Sequence, residues 1–366
     1  MKVALVHDYL IQDGGAERVL LALHEMYPEA PVYTLFYDPE RLPPEFRDLS
    51  ARVSPLNRWP FAPRKYQWYL PFMAQAVEAF DLSEFDLVIS SSSSFAKGAI
   101  CSAQGTHICY CHTPTRFLWE ERIRYLDELA VPGFIKKFLP SYLHQLRQWD
   151  RIAAERPDAI ATNSRTSRER IRRYYQREAT VIPPPVDVER IPLSTHAGSY
   201  WLAGGRLVPY KRFDLVVKAF AKLNLPLKIF GEGPDLKKLQ NLAGPKTEFL
   251  GHVDDRCKIE LYEHAIGFLY PQVEDFGITA VEAMAAGKPV LAYNRGGATE
   301  TVIHGLTGQH FNVQCWEDIG NLILRFDASA FSAQKIREHA EQYSKAHFQE
   351  RMRAFIDQAI KTHCLV

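Results

Sequence analysis

Short apolar runs recur along this chain, each ended by a glycine or polar turn and followed by helically spaced apolar positions, the pattern of parallel α/β units. In the first half, residues 3–6, 87–90, 107–110 and 159–162 read as buried strands, and residues 16–26, 134–155 and 164–175 as helices. A strand-like run at 180–182 then meets Pro183-Pro184-Pro185, and consecutive prolines continue neither a helix nor a central strand. Beyond them the rhythm restarts. Residues 201–203, 227–230, 247–250, 266–270 and 289–293 read as strands, and 213–222, 278–286 and 332–362 as helices. The expected organisation is a doubly wound α/β domain over residues 1–182, a linker at 183–199, and a second such domain at 200–340. Residues 341–366 are set apart as the end of the last helical stretch, which is long enough to reach back to the first domain.

Composition agrees with two domains. The 366 residues exceed what one hydrophobic core usually organises, and 46% hydrophobic with 24% charged residues is ordinary globular usage. Lys and Arg total 44 against 43 Asp and Glu, which argues against nucleic acid as a partner and leaves any anionic ligand to be held locally. The six cysteines form no CxxC pair, and Cys109-Tyr110-Cys111 is too tight for a usual zinc knuckle, so they read as reduced thiols. Asp8 interrupts the stretch where a signal peptide needs its apolar region, and the chain has no run long enough for a spanning helix. The expectation is a cytoplasmic chain whose membrane contact, if any, is peripheral.

Ligands of open α/β sheets bind outside the carboxyl ends of the strands, so the loops there carry the chemistry. After the first strand, Gly14-Gly15 lets backbone N–H groups approach a phosphate at a helix N-terminus, though a bare turn explains an isolated Gly-Gly equally well. Gly204-Gly205-Arg206 with Lys211 sets a planar fork and a mobile point charge on one loop, which suits a departing diphosphate; a solvated basic turn is the plain alternative. Glu274 and Glu282 are separated by seven residues across Phe276-Gly277-Ile278, a spacing that serves two ends of one ligand but also arises without any function. His112 leaves a strand just before Pro114, where it can hold a substrate or simply be structural. Gly296-Gly297 with Glu300 is either a further ligand loop or a packing turn.

Together, Gly204-Gly205-Arg206 with Lys211, Gly231-Glu232-Gly233-Pro234, Glu274 with Glu282, and Gly296-Gly297 with Glu300 resemble, in order and spacing, the retaining glycosyltransferases of family 4. The resemblance spans nearly the whole chain and implies the GT-B fold, two Rossmann-like doubly wound domains facing across a cleft, acceptor-side first and donor-side second, with the terminal helix at 341–366 crossing back to pack on the first domain. It implies that Arg206 and Lys211 bind a nucleotide-sugar diphosphate and that Glu282 holds the ribose. Glu274 with the Phe276, Gly277 and Ile278 backbone would hold the sugar. Gly14 and Gly15 would approach the diphosphate, His112 the transferred sugar, and Gly251, His252 and Val253 the base. Gly14-Gly15-Ala16-Glu17-Arg18 and the segment from His112 to Trp119 resemble O-antigen mannosyltransferases that use GDP-mannose.

The implied reaction is transfer of a hexose with retention of configuration, to a glycan or lipid-linked glycan in polysaccharide or O-antigen-type synthesis. No Asp-x-Asp pair occurs, so no metal is expected and no cofactor beyond the donor. Trp59, Arg64, Lys65, Tyr66, Trp68, Tyr69 and Phe72, and a second group of Arg116, Trp119, Arg122, Arg124 and Tyr125, mix aromatic and basic residues. Such groups meet a lipid-linked acceptor at the inner membrane surface, or serve as core and rim of helices. An epimerase or phosphorylase on the same fold, a transferase of UDP-sugars and an inactive nucleotide-sugar binder are the alternatives.

Overall fold

The computed structural model describes residues 1–123, 125 and 133–363; Arg124 and Cys364 lie outside them. The chain divides into two compact units, Met1–Pro183 with Phe348–Val366, and Pro184–His347.

The first unit is a parallel sheet of seven strands, β1 (Val3–Leu10), β2 (Val32–Tyr37), β3 (Ala51–Val53), β4 (Leu87–Ser92), β5 (Thr106–Cys111), β6 (Ala159–Thr162) and β7 (Thr180–Val181), in the order β3-β2-β1-β4-β5-β6-β7. Side chains alternate across the sheet. Leu5, Ile89, Ile108 and Tyr110 face a core shared with Val19, Leu20 and Leu23 of the helix Gly15–Met26. Ala4, Val6 and Val88 face another, with Leu70, Met73 and Val77 of the helix Leu70–Glu78. The terminal helix Lys345–His363 contributes Phe348, Met352, Ile356 and Ala359 to the first of these cores. Each of its large apolar side chains contributes roughly 1.5–3 kcal/mol by burial.

The second unit is a parallel sheet of six strands, β8 (Tyr200–Gly204), β9 (Leu227–Phe230), β10 (Thr247–Gly251), β11 (Ala265–Tyr270), β12 (Val290–Tyr293) and β13 (Gly308–Phe311), ordered β10-β9-β8-β11-β12-β13. Leu202, Phe268 and Val290 pack against Ala280 and Met284 of the helix Ile278–Ala285 and Ile336 of Ala333–Glu341. On the opposite face Ala203, Ile229 and Leu291 meet Val216 and Phe220 of Phe213–Leu223 and Ile319 of Trp316–Arg325. Val186, Val188 and Ile191, which follow the prolines, join the core of this unit.

Both sheets reverse their strand order once, between β1 and β4 and between β8 and β11. Loops part at such a point and leave a crevice at the carboxyl ends of the strands. The residues singled out in the sequence follow β1 (Gly14, Gly15), β5 (His112), β8 (Arg206, Lys211), β10 (His252, Val253), β11 (Glu274) and β12 (Gly296, Gly297).

Candidate functional site

In the first unit a chain of buried polar groups starts at the helix after β1. Gly14 precedes the helix in extended conformation, and a Cβ there would stand 2.8 Å from Glu17 Oε2, so glycine leaves room for that carboxylate. Glu17, in the first helical turn where a negative charge is favoured, is buried and stands 4.0 Å from His7 Nε2. His7 Nδ1 lies 3.1 Å from Ser91 Oγ, and Ser91 Oγ lies 2.9 Å from His112 Nε2. Burial, reinforced by His7, pushes the His112 imidazole down to about 3, so it is neutral at physiological pH. The His112 carbonyl accepts from Asn163 Nδ2 at 2.8 Å and Ser167 Oγ at 3.0 Å, which fixes the backbone where the strand ends.

The serine run after Leu87 is polar yet buried because its hydroxyls are engaged: Ser90 with His107 Nε2 at 2.9 Å, Ser91 as above, and Ser92 accepting from the Lys97 N–H at 3.2 Å. Asp8 anchors the turn that follows by accepting four backbone N–H groups, from Ser93, Ser94, Phe95 and Ala96, at 2.6, 2.9, 2.7 and 2.7 Å. The loop after His112 is held in turn by Asp150. That carboxylate accepts from Thr115 Oγ1 at 2.6 Å, Lys97 Nζ at 2.6 Å, Trp119 Nε1 at 2.8 Å and Tyr175 OH at 2.9 Å. Burial opposes the Lys97 charge, but Asp150 outweighs it and holds the ammonium above its ordinary range. Trp119 is therefore a structural member of its aromatic and basic group. Of the other group, Tyr69 is buried, whereas Trp59, Trp68 and Phe72 are 39%, 54% and 43% exposed.

In the second unit Lys211 and Glu274 meet directly, Nζ to Oε1 at 2.8 Å, and Tyr270 OH donates to Glu274 Oε2 at 2.6 Å. A buried cation and a polarised carboxylate thus share the β8/β11 crevice. Arg206, on the Lys211 loop, is exposed, and its guanidinium makes no hydrogen bond or ion pair among the described residues. Gly277 holds a left-handed φ of 96° ahead of the helix Ile278–Ala285, and a Cβ there would strike Tyr270 OH at 2.6 Å. Only glycine lets Tyr270 reach Glu274 beneath that turn. Phe276 is buried and packs edge-on against Tyr343, with ring centroids 5.3 Å apart.

Glu282 belongs to a neighbouring group. It accepts from Lys258 Nζ at 3.0 Å and Tyr262 OH at 2.9 Å. Burial opposes the Lys258 charge, while Glu282 and Asp255 outweigh it and hold the ammonium above its usual range. His252 is exposed at the end of β10, where Gly251 has a φ of 67° and open space beside it, and Val253 packs against the core.

The remaining glycines shape the crevice from behind. A Cβ on Gly231 would stand 2.0 Å from Gly205 O, and one on Gly233 2.1 Å from Leu207 O, so this turn carries the Arg206 loop by close backbone contact. The Leu207 N–H donates to Glu232 O at 2.7 Å, completing it. Gly296 and Gly297 lie under the Glu274 loop in the same way, with the Gly297 N–H donating to Glu274 O at 2.8 Å. Sequence reasoning gave no role to Glu17, His7, Ser91, Tyr270, Tyr262 and Lys258. Glu17 and Tyr270 fall in a helix and a strand that the apolar pattern identifies, His7 and Ser91 one residue beyond two predicted strands, and Lys258 and Tyr262 in the helix Asp255–Glu263, which the pattern does not predict.

Comparison with known proteins supplies the family. The family model described as Glycosyltransferase Family 4 matches residues 13–190, and that described as Glycosyl transferases group 1 matches residues 197–347. The alpha-1,3/1,6-mannosyltransferase ALG2 of Mus musculus is 26% identical, covering 81% of this chain and 80% of that one. The D-rhamnosyltransferase WbpZ of Pseudomonas aeruginosa is 28% identical over 50% of this chain and 51% of its own. Among solved structures, Anabaena Alr3699/HepE in complex with UDP superposes with a TM-score of 0.75 at 18% identity, covering 98% of this chain and 100% of that one. Sucrose-phosphate synthase from Thermosynechococcus elongatus gives 0.73 at 18% identity, covering 99% and 100%. With two parallel Rossmann-like sheets of matching topology and both halves matched by family models, the chain belongs to glycosyltransferase family 4 and has the GT-B fold.

Proposed function

We propose that this glycosyltransferase moves mannose from GDP-mannose to a glycan acceptor carried on a lipid, with retention of anomeric configuration and without a metal ion. The observation that carries the reading is the Lys211–Glu274–Tyr270 cluster beside the unpaired Arg206 guanidinium at the β8/β11 reversal. Loss of a diphosphate from an anomeric carbon leaves oxocarbenium-like charge on the sugar and negative charge on the departing phosphate. Arg206 and Lys211 neutralise the latter where it develops, Glu274 takes a sugar hydroxyl, and Glu282 takes the ribose hydroxyls. In same-face attack the bond from the anomeric carbon to the phosphate oxygen breaks as the acceptor oxygen bonds to that carbon. The departing phosphate then takes the acceptor proton. Mannose as the sugar rests on the likeness to ALG2 and on the motif at residues 14–18.

A lipid-linked acceptor calls for membrane contact, which we place on the exposed Trp59, Phe61, Trp68 and Phe72 with Arg58, Arg64 and Lys65. No Asp or Glu occurs between Asp48 and Glu78, so nothing nearby in sequence opposes an anionic surface. No helix among the described residues is long and apolar enough to cross a membrane. The protein should co-sediment with anionic phospholipid vesicles and not with neutral ones, and Trp68→Ser with Lys65→Ala should release it; equal binding by that variant would remove the surface from the account. The reaction itself is tested with labelled GDP-mannose, a bacterial lipid extract and EDTA. Label entering the lipid phase supports the reading, whereas an intact donor with every extract contradicts it.

A further inference from the structure

The chain Glu17, His7, Ser91, His112 has a direction that its chemistry decides. Strand register builds it: His7 on β1 is paired with Ser91 on β4, and Ser91 with Tyr110 on β5, two residues before His112. All four side chains are buried. The Ser91 hydroxyl touches two imidazole nitrogens and has no other acceptor for its one hydrogen among the described residues, so with that hydrogen satisfied it donates to one ring and accepts from the other. Two settings are available, and they give His112 opposite tautomers.

Glu17 breaks the tie. Its carboxylate faces His7 Nε2 at 4.0 Å. A hydrogen on Nε2 is favoured by that nearby negative oxygen, whereas a lone pair there would oppose it inside a buried space. The separation exceeds the roughly 2.7–2.9 Å of a charge-assisted hydrogen bond. Glu17 thus acts on His7 as a directing charge and is itself compensated by the helix N-terminus in which it sits. His7 therefore presents the Nδ1 lone pair to Ser91, Ser91 donates to it, and Ser91 Oγ accepts from His112 Nε2–H. His112 Nδ1 is left as a lone pair, with no partner among the described residues.

We infer that Glu17, His7 and Ser91 are positioning residues that hold His112 as its Nε2–H tautomer, so that Nδ1 accepts a hydroxyl hydrogen from the sugar or the acceptor. The inference rests on the reading that His112 touches the transferred sugar. Fixing a tautomer from behind governs what the front of the ring can do, because the wrong one offers a donor where an acceptor is needed.

The test is nitrogen-15 NMR of the full-length protein labelled at histidine, at pH 8, with turnover measured beside it. The wild type should show His112 protonated at Nε2 with an unprotonated Nδ1. Ser91→Ala should mix the tautomers and lower kcat by about tenfold with little change in donor KM, and Ser91→Thr, which keeps the hydroxyl, should restore both. Glu17→Gln keeps shape and should shift the His112 signals part of the way; it carries the test alone if Ser91→Ala does not fold. Finding His112 protonated at Nδ1 in the wild type overturns the inference, since a doubly protonated His7 would drive Ser91 the other way. An unchanged spectrum in Glu17→Gln overturns it too. His112→Ala with full turnover removes the sugar contact while leaving the tautomer result standing, so the two failures are distinct.

Discussion

At the scale of the residue, the site is a set of charges that the fold keeps close to neutral. Lys211 is buried against Glu274, and the Arg206 guanidinium has no hydrogen-bond or ion-pair partner among the described residues, so the two cations are set up differently. Lys211→Ala removes a charge from the departing phosphate and leaves Glu274 without its counter-ion; kcat/KM should fall on the order of 10²–10³-fold. Glu282→Gln should act chiefly on donor binding, raising Kd with a smaller change in kcat. Steady-state kinetics with GDP-mannose separates the two, and full activity in both variants would remove the site. The motif residues were legible because their types and spacing are distinctive. Lys258 and Tyr262 were not, because their pairing with Glu282 is made between two helices far apart in sequence.

Histidine burial gives a pH dependence at the same scale. Burial pushes His107 down to about 4 and His112 to about 3, so the folded chain keeps both neutral while the unfolded chain protonates them below its ordinary value near 6.5. The unfolded state then binds more protons, and stability falls as pH drops through this window. At pH 5 each neutral histidine should cost about 2 kcal/mol relative to pH 7. Urea unfolding at the two pH values should show a shallower fall for His112→Gln than for the wild type. An identical fall in the two proteins would contradict the neutral, buried state.

Among the elements, loops are held by contacts too close for any side chain. Gly231 combines a φ of 111° with a carbonyl 2.0 Å from where its Cβ would be. Gly231→Ala should therefore destabilise the second unit by about 1–3 kcal/mol and raise donor KM, because the displaced backbone carries Arg206. Denaturation and kinetics on one preparation check both, and a neutral variant would mean the turn yields at little cost. The α/β rhythm was readable wherever an apolar run met a helix, as at 159–162 and 227–230. The sequence reading has no counterpart for β2, β3 and β13. β2 is rich in strand formers but leads into short 3-10 turns, β3 is a three-residue edge, and β13 is Gly-Gln-His-Phe, half polar. The helix expected over 332–362 is broken at Gln342–Ser344, where Ser344 bridges to Val186 and its hydroxyl accepts the His347 N–H.

For the whole molecule, the terminal helix completes the core of the unit where the chain begins. Phe348 packs edge-on to Tyr110 with centroids 5.7 Å apart, two residues before His112. A chain ending at His347 should expose Leu5, Ile108 and Tyr110, lose roughly 5–8 kcal/mol of burial, and aggregate or bind a hydrophobic dye. A soluble, dye-negative truncation would show the helix to be dispensable.

The central claim is that the second unit's crevice takes a mannose nucleotide through Lys211 and Arg206. Calorimetric titration of GDP-mannose, beside UDP-glucose, UDP-N-acetylglucosamine and the free nucleotides, in EDTA, addresses it directly. The expected result is selective binding of GDP-mannose that EDTA leaves unchanged and Lys211→Ala weakens. Preference for a UDP-sugar would replace the donor, and absence of binding by all of them would contradict the site.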